Sequence, residues 1–229
     1  MAADPHPRTP HAFLWVLIDA ADEWWIFREF WPSIVCGQSK DVKDGDDEAL
    51  YSVQEYVEVV ASLEGNEIVW VGDGDSRRGE LKIMGERPCN RFMDQAGKGF
   101  KLSAEGQPFV SYWDRYKKFG FSFREPYKRH DAGEDKIRDL LRLRKHETRQ
   151  CWPRLHIAES CVELILEFKK YRYQSKQDFH PASHELSQKG MEKRCHLLDC
   201  LRYIATSKAC YLASFTTARY DPAAEEMAA

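Results

Sequence analysis

His196-Leu-Leu-Asp-Cys-Leu-Arg-Tyr203 sets one acidic residue, Asp199, inside an otherwise apolar helix signal. Leu197, Cys200, Leu201 and Ile204 follow the i, i+3, i+4, i+7 spacing of a buried stripe. Asp199 falls roughly opposite, beside Cys195, His196, Arg202 and Tyr203, where a charge ordinarily belongs to a solvated face. A second acidic locus, Gly72-Asp-Gly-Asp-Ser-Arg-Arg-Gly79, offers Asp73 and Asp75, although Asp beside Gly also simply shapes turns. His180-x-x-x-His184 with Cys195 and Cys200 has the residue types of a zinc site. Its Cys-x4-Cys spacing is not that of a zinc knuckle and no second Cys pair lies nearby, so structural zinc is not expected.

Net charge is −3 and conceals a split. Residues 1–64 carry 13 Asp/Glu against 4 Lys/Arg, whereas residues 115–154 carry 13 Lys/Arg against 6 Asp/Glu. That division suits a protein holding cations in one place and phosphates in another, with ordinary surface variation as the plain alternative. The basic set Lys128, Arg129, Lys136, Arg138, Arg142, Arg144, Lys145 and Arg149 is the natural grip for DNA. Contacts of that kind give salt-dependent affinity without base reading.

These groups need a scaffold. At 229 residues, 43% hydrophobic and 13% aromatic, the chain can bury a sizeable core. No run approaches the ~18 apolar residues of a membrane helix and no secretory leader pattern is visible, so a soluble, cytoplasmic protein is expected. Seven irregularly spaced cysteines fit reduced thiols. Phe13–Ile18 and Trp24–Phe27 read as an antiparallel hairpin. A helix over 47–63 is expected, capped by Asp46 or Asp47, striped by Leu50, Val53, Val57 and Val60, and stopped by Gly65.

Ile68–Val71 reads as a buried strand, and 76–108 as loops with an added ribbon. A helix at 109–118 leads to a short strand, Phe121–Phe123. An amphipathic helix over 133–146 carries Ile137, Leu140, Leu141 and Arg144 along one side. Leu155–Ile157 reads as a strand entering a helix at 160–171, and a loop over 174–190 precedes the last helix at 191–206. The tryptophans, Trp15, Trp24, Trp25 and Trp70 among them, read as core and hairpin packing; Glu29, on the second hairpin strand, reads as a surface residue, with a place near the site as the alternative. The order predicts one α/β domain over 1–206 with a mixed sheet flanked by helices, an insertion at 76–108 and a tail at 207–229.

Three stretches resemble the C-terminal nuclease domain of phage terminase large subunits, which has a ribonuclease H-like fold. Asp4-Pro-His-Pro-Arg-Thr-Pro-His11 is similar to the family's Asp-Pro turn after its first strand. Ile68-Val-Trp-Val-Gly-Asp73 is similar to its strand ending in a second acidic position. Most specific is Arg154–Tyr173, where the family has a strand entering a Cys-x-x-Leu-Ile-x-Glu-x-x-x-Tyr helix, followed by His196–Tyr203, where the family reads His-x-x-Asp-Ala-Leu-Arg-Tyr.

The resemblance implies a divalent-metal-dependent endonuclease that cuts double-stranded DNA concatemers during genome packaging, with low sequence specificity. It implies catalytic, metal-holding Asp4, Asp73 and Asp199, with Asp75 as substitute for Asp73 and two Mg2+ or Mn2+ ions as cofactors. Such a pair, roughly 3.5–4 Å apart, clamps the attacking and leaving oxygens of a phosphodiester. Implied partners are DNA, an ATPase domain, a small terminase subunit and a portal, in the host cytoplasm. The sequence contains no Gly-x-x-x-x-Gly-Lys-Ser/Thr loop, so a cutting module without its motor is expected. A decayed prophage DNA-binding module and another ribonuclease H-like nuclease, a resolvase or an RNase, are the alternatives.

Overall fold

The computed structural model describes residues 1–5, 10–32, 51–86, 88–94, 98, 101–102, 110–127, 130–145, 151–171, 195–207 and 209–211. Its centre is a five-stranded mixed sheet. The strands β1 (Ala2–Asp4), β2 (Ala12–Ile18) and β3 (Trp24–Phe30) pair antiparallel in sequence order. The short β6 (Phe92–Met93) adds parallel to β1 at one edge, and β9 (Leu155–Ile157) adds parallel to β3 at the other. A separate ribbon pairs β4 (Glu67–Val71) with β5 (Arg78–Lys82), and β7 (Lys101–Leu102) pairs with β8 (Val110–Ser111).

Alternation along each strand sends neighbours to opposite faces, and the sequence fills both with apolar side chains. Ala2, Leu14, Trp24 and Ile26 meet α3 (His130–Leu141), α4 (Val162–Lys170) and α5 (His196–Thr206) on one face. Ala3, Phe13 and Trp15 meet α1 (Val53–Leu63) and α2 (Tyr112–Lys118) on the other. Gly133 is what lets α3 and α5 close together. A Cβ there would stand 2.8 Å from the Thr206 methyl and 3.2 Å from a carbonyl of α5. The architecture is thus α/β with a mixed sheet flanked by helices, as the periodicity predicts.

Several elements differ from expectation for local physical reasons. Helix α1 starts at Val53 because Ser52 and Glu55 form a reciprocal capping box, and Gly65, at φ +69, takes the left-handed turn that ends it. The anticipated caps Asp46 and Asp47 lie outside the described residues. Ile68–Val71 is no buried strand: its two-stranded ribbon leaves Val69 and Val71 exposed. Phe121–Phe123 forms no strand and contributes the buried Phe121 instead. Helix α3 ends at Leu141, so Arg144 leaves the helix and forms an antiparallel bridge with Trp152. Among the described residues, no helix is long and apolar enough to cross a membrane. Cys89, Cys151, Cys161, Cys195, Cys200 and Cys210 are free thiols. His180 and His184 lie outside the described residues.

Candidate functional site

Asp4 ends β1 at the middle of the sheet and is buried. By alternation its side chain leaves on the Ala2 face, towards α5. Two residues of that helix receive it. His196 Nδ1 lies 2.7 Å from Asp4 Oδ2, and the Tyr203 hydroxyl donates to Asp4 Oδ1 at 3.1 Å. His196, Cys200 and Tyr203 are spaced i, i+4, i+7 and face Asp4, while Asp199 stands to one side of that row, next to Arg202. This face is not a solvated one: Cys195, His196 and Tyr203 are buried along with the apolar stripe. Asp199 itself is ion-paired with Arg202, which also reaches Glu134 at 3.4 Å.

A third carboxylate arrives from an unexpected place. Ala2 pairs with Phe92 and Ala3 with Met93 in a parallel ladder. The ladder ends there, and Asp94 follows Met93 directly, close enough for its charge to act on Tyr203. The Tyr203 hydroxyl is held strongly in its protonated form by burial first, then by the negative charges of Asp4 and Asp94. Sequence reasoning missed Asp94 because a two-residue strand has no periodicity. The available signal was Phe92-Met-Asp, a short apolar step ending in an acid.

The helix carrying this face is fixed at its start by a buried carboxylate. Cys195 occupies the cap position, and its side chain makes no capping bond to the helix end. Glu167 of α4 supplies it instead, accepting from the backbone N–H of Leu197 at 3.3 Å and of Leu198 at 2.8 Å. Helix α4 repeats the device. Cys161 gives no cap, and Glu29 of β3 accepts from Glu163 N at 2.8 Å and Leu164 N at 2.9 Å. Glu29 is therefore a capping residue, not a surface charge. Each carboxylate satisfies orphan donors at a positive helix end. Burial nevertheless wins at Glu167: it pushes that carboxyl up to about 7, against the pull of the two N–H donors and of His196.

The remaining sequence-predicted residues lie elsewhere. Asp73 precedes a short turn (Gly74–Ser76) after β4, makes no side-chain cap there and is exposed. Its ribbon packs on α1 and shares no ladder with the five-stranded sheet, so it belongs to the face opposite α5. Asp4 is held by two residues of the helix that bears Asp199, Asp199 itself pairs with Arg202, and Asp73 lies apart from both; the Asp75 side chain lies outside the described residues. Among the basic residues, Lys136 pairs with Asp22, Arg138 with Glu134 and Asp135, and Arg144 with Asp139. Arg142 and Lys145 are exposed. Lys128, Arg129 and Arg149 lie outside the described residues.

Among the described residues, no group of three His, Cys, Asp or Glu side chains is arranged to hold a metal ion. Asp4 is engaged by His196 and Tyr203, and Asp199 by Arg202. Comparisons with protein-family models, with curated proteins and with solved structures give no match to this chain.

Proposed function

We propose that this chain is a divalent-metal-dependent endonuclease domain acting on double-stranded DNA, of ribonuclease H-like type, in the manner of the terminase nucleases it resembles. What supports the reading is a buried Asp4 at the end of β1, held by His196 and Tyr203 of the helix that also bears Asp199, with Asp94 following directly after β6. Mg2+ or Mn2+ takes oxygen ligands and is held by a few carboxylates with retained water. The donor set Asp4, Asp94 and Asp199 suits that chemistry, with Asp94 in the role the sequence assigned to Asp73. When bound, the ions supply charge neutralisation on the phosphate and an acidified water.

The chain's own residues do the positioning. His196 and Tyr203 fix the Asp4 carboxylate through both oxygens, and Glu167 fixes the first turn of α5. Arg202 shields Asp199 and would release it to an ion. Exposed cations on the α3 end would grip phosphate without reading bases.

A second reading, a metal-free DNA-binding module, draws on the fact that Asp4 and Asp199 already have protein partners. Plasmid cleavage decides between them. Supercoiled DNA incubated with Mn2+ should become nicked and linear, EDTA should stop it, and Asp4→Ala and Asp199→Ala should abolish it with the circular dichroism spectrum retained. Absence of cleavage by the folded wild-type chain would instead leave the binding module.

A further inference from the structure

We infer that His156 is a proton-operated clasp: neutral, it holds the Trp152 indole, and protonated, it turns its Nε2 hydrogen to Glu23 and lets that indole go. This inference does not depend on the metal-dependent reading.

One nitrogen serves two neighbours. His156 lies on β9 directly across the ladder from Trp25, and the two rings stack at 4.0 Å and 24°. The Trp152 indole N–H donates to His156 Nε2 at 3.1 Å, and Glu23 Oε2 stands 3.4 Å from the same atom. An indole nitrogen only donates, and an ionised carboxylate only accepts. The Trp152 bond therefore requires a lone pair on Nε2, with the ring hydrogen on Nδ1. A bond to Glu23 requires a hydrogen on Nε2 instead. Both cannot exist at once, and the proton on Nε2 decides between them.

The surroundings are built to receive the charged ring. His156 and Glu23 keep only 12% and 17% of their side chains exposed, so their attraction is weakly screened. Trp25 offers a ring face, a contact that a positive imidazolium strengthens. Asp19, which accepts from the Trp25 indole N–H at 3.2 Å, adds a second negative charge that couples to the ring. The nearby cations are already paired: Arg144 with Asp139, Arg154 with Asp139 and Asp22, and Lys136 with Asp22.

When a proton from solvent reaches Nε2, the lone pair that held Trp152 is consumed. Two N–H donors then face each other, and the indole turns away while Nε2–H closes on Glu23. Trp152 is also bridged through its backbone to Arg144, with N···O distances of 3.0 and 2.8 Å. That bridge thereby loses its side-chain anchor on the sheet.

The test follows the indole N–H signals of the 15N-labelled full chain by 1H–15N NMR from about pH 8 to about pH 5, the window in which imidazoles ordinarily change charge. Trp152→Phe and Trp25→Phe assign the two signals. On acidification the Trp152 signal should move upfield, as loss of a hydrogen bond requires, and its hydrogen should exchange faster with water. The Trp25 signal should keep its bond to Asp19. In Glu23→Gln the transition should move to lower pH, because the anion that receives the new N–H is gone. In His156→Phe it should disappear. A Trp152 signal that stays fixed, a transition at the same pH in Glu23→Gln, or one that persists in His156→Phe would each overturn the inference. Should His156→Phe lose its circular dichroism spectrum, Glu23→Gln decides.

Discussion

Glu167→Gln probes the device that seats α5. The wild-type carboxyl is pushed up to about 7, chiefly by burial, whereas a glutamate in an unfolded chain sits near 4.3. That difference corresponds to roughly 3 kcal/mol of preference for the protonated form in the folded state. The folded chain binds this proton more tightly than the unfolded one, so its contribution to stability is greatest at low pH. It is lost progressively as pH rises from about 4.5 to about 7, and no more is lost above that.

Glutamine keeps one carbonyl acceptor and never ionises, so it contributes a constant offset. Urea unfolding of both chains, followed by tryptophan fluorescence across that range, should show the difference shifting in favour of the variant by up to roughly 3 kcal/mol with rising pH. A difference between the two chains that is the same at every pH would refute the reasoning, because it would mean that Glu167 titrates alike in both states.

Other expectations are simpler. Tyr203→Phe removes one buried donor to Asp4 and should lower stability by about 1–2 kcal/mol in chemical denaturation. Ser52→Ala dismantles the capping box of α1 and should cost about 1 kcal/mol by the same measurement. Burial pushes the Cys161 thiol up to about 11 and holds Cys200 well above its ordinary value. Mass mapping after brief iodoacetamide treatment of the folded protein near pH 8 should find label on exposed Cys89, Cys151 and Cys210 and none on Cys161 or Cys200.

What could be read from the sequence was whatever repeats along the chain. The β2–β3 hairpin, β9 and the apolar stripes of α1, α4 and α5 show as long or periodic apolar runs, and they gave the mixed sheet flanked by helices. Ile68–Val71 has the same composition as a core strand, yet it pairs only with β5, and composition cannot say which partner a strand finds. Asp94 was hidden because β6 is two residues long and becomes a strand only by pairing with β1. The roles of Glu29 and Glu167 left a faint trace, namely two helices whose cap positions hold Cys161 and Cys195, which cannot cap. The donors at those helix ends had to be satisfied from elsewhere in the chain. Likewise Trp15 and Trp24 are core residues as expected, whereas Trp25 is half-exposed.

Under the proposed function, Asp94 and not Asp73 joins Asp4 and Asp199 in holding divalent ions. Mn2+ titration by isothermal calorimetry, on the wild-type chain and on Asp94→Ala and Asp73→Ala, tests it most directly. Saturable binding that is lost in Asp94→Ala and kept in Asp73→Ala is the predicted result. Binding that survives in Asp94→Ala but disappears in Asp73→Ala would contradict it.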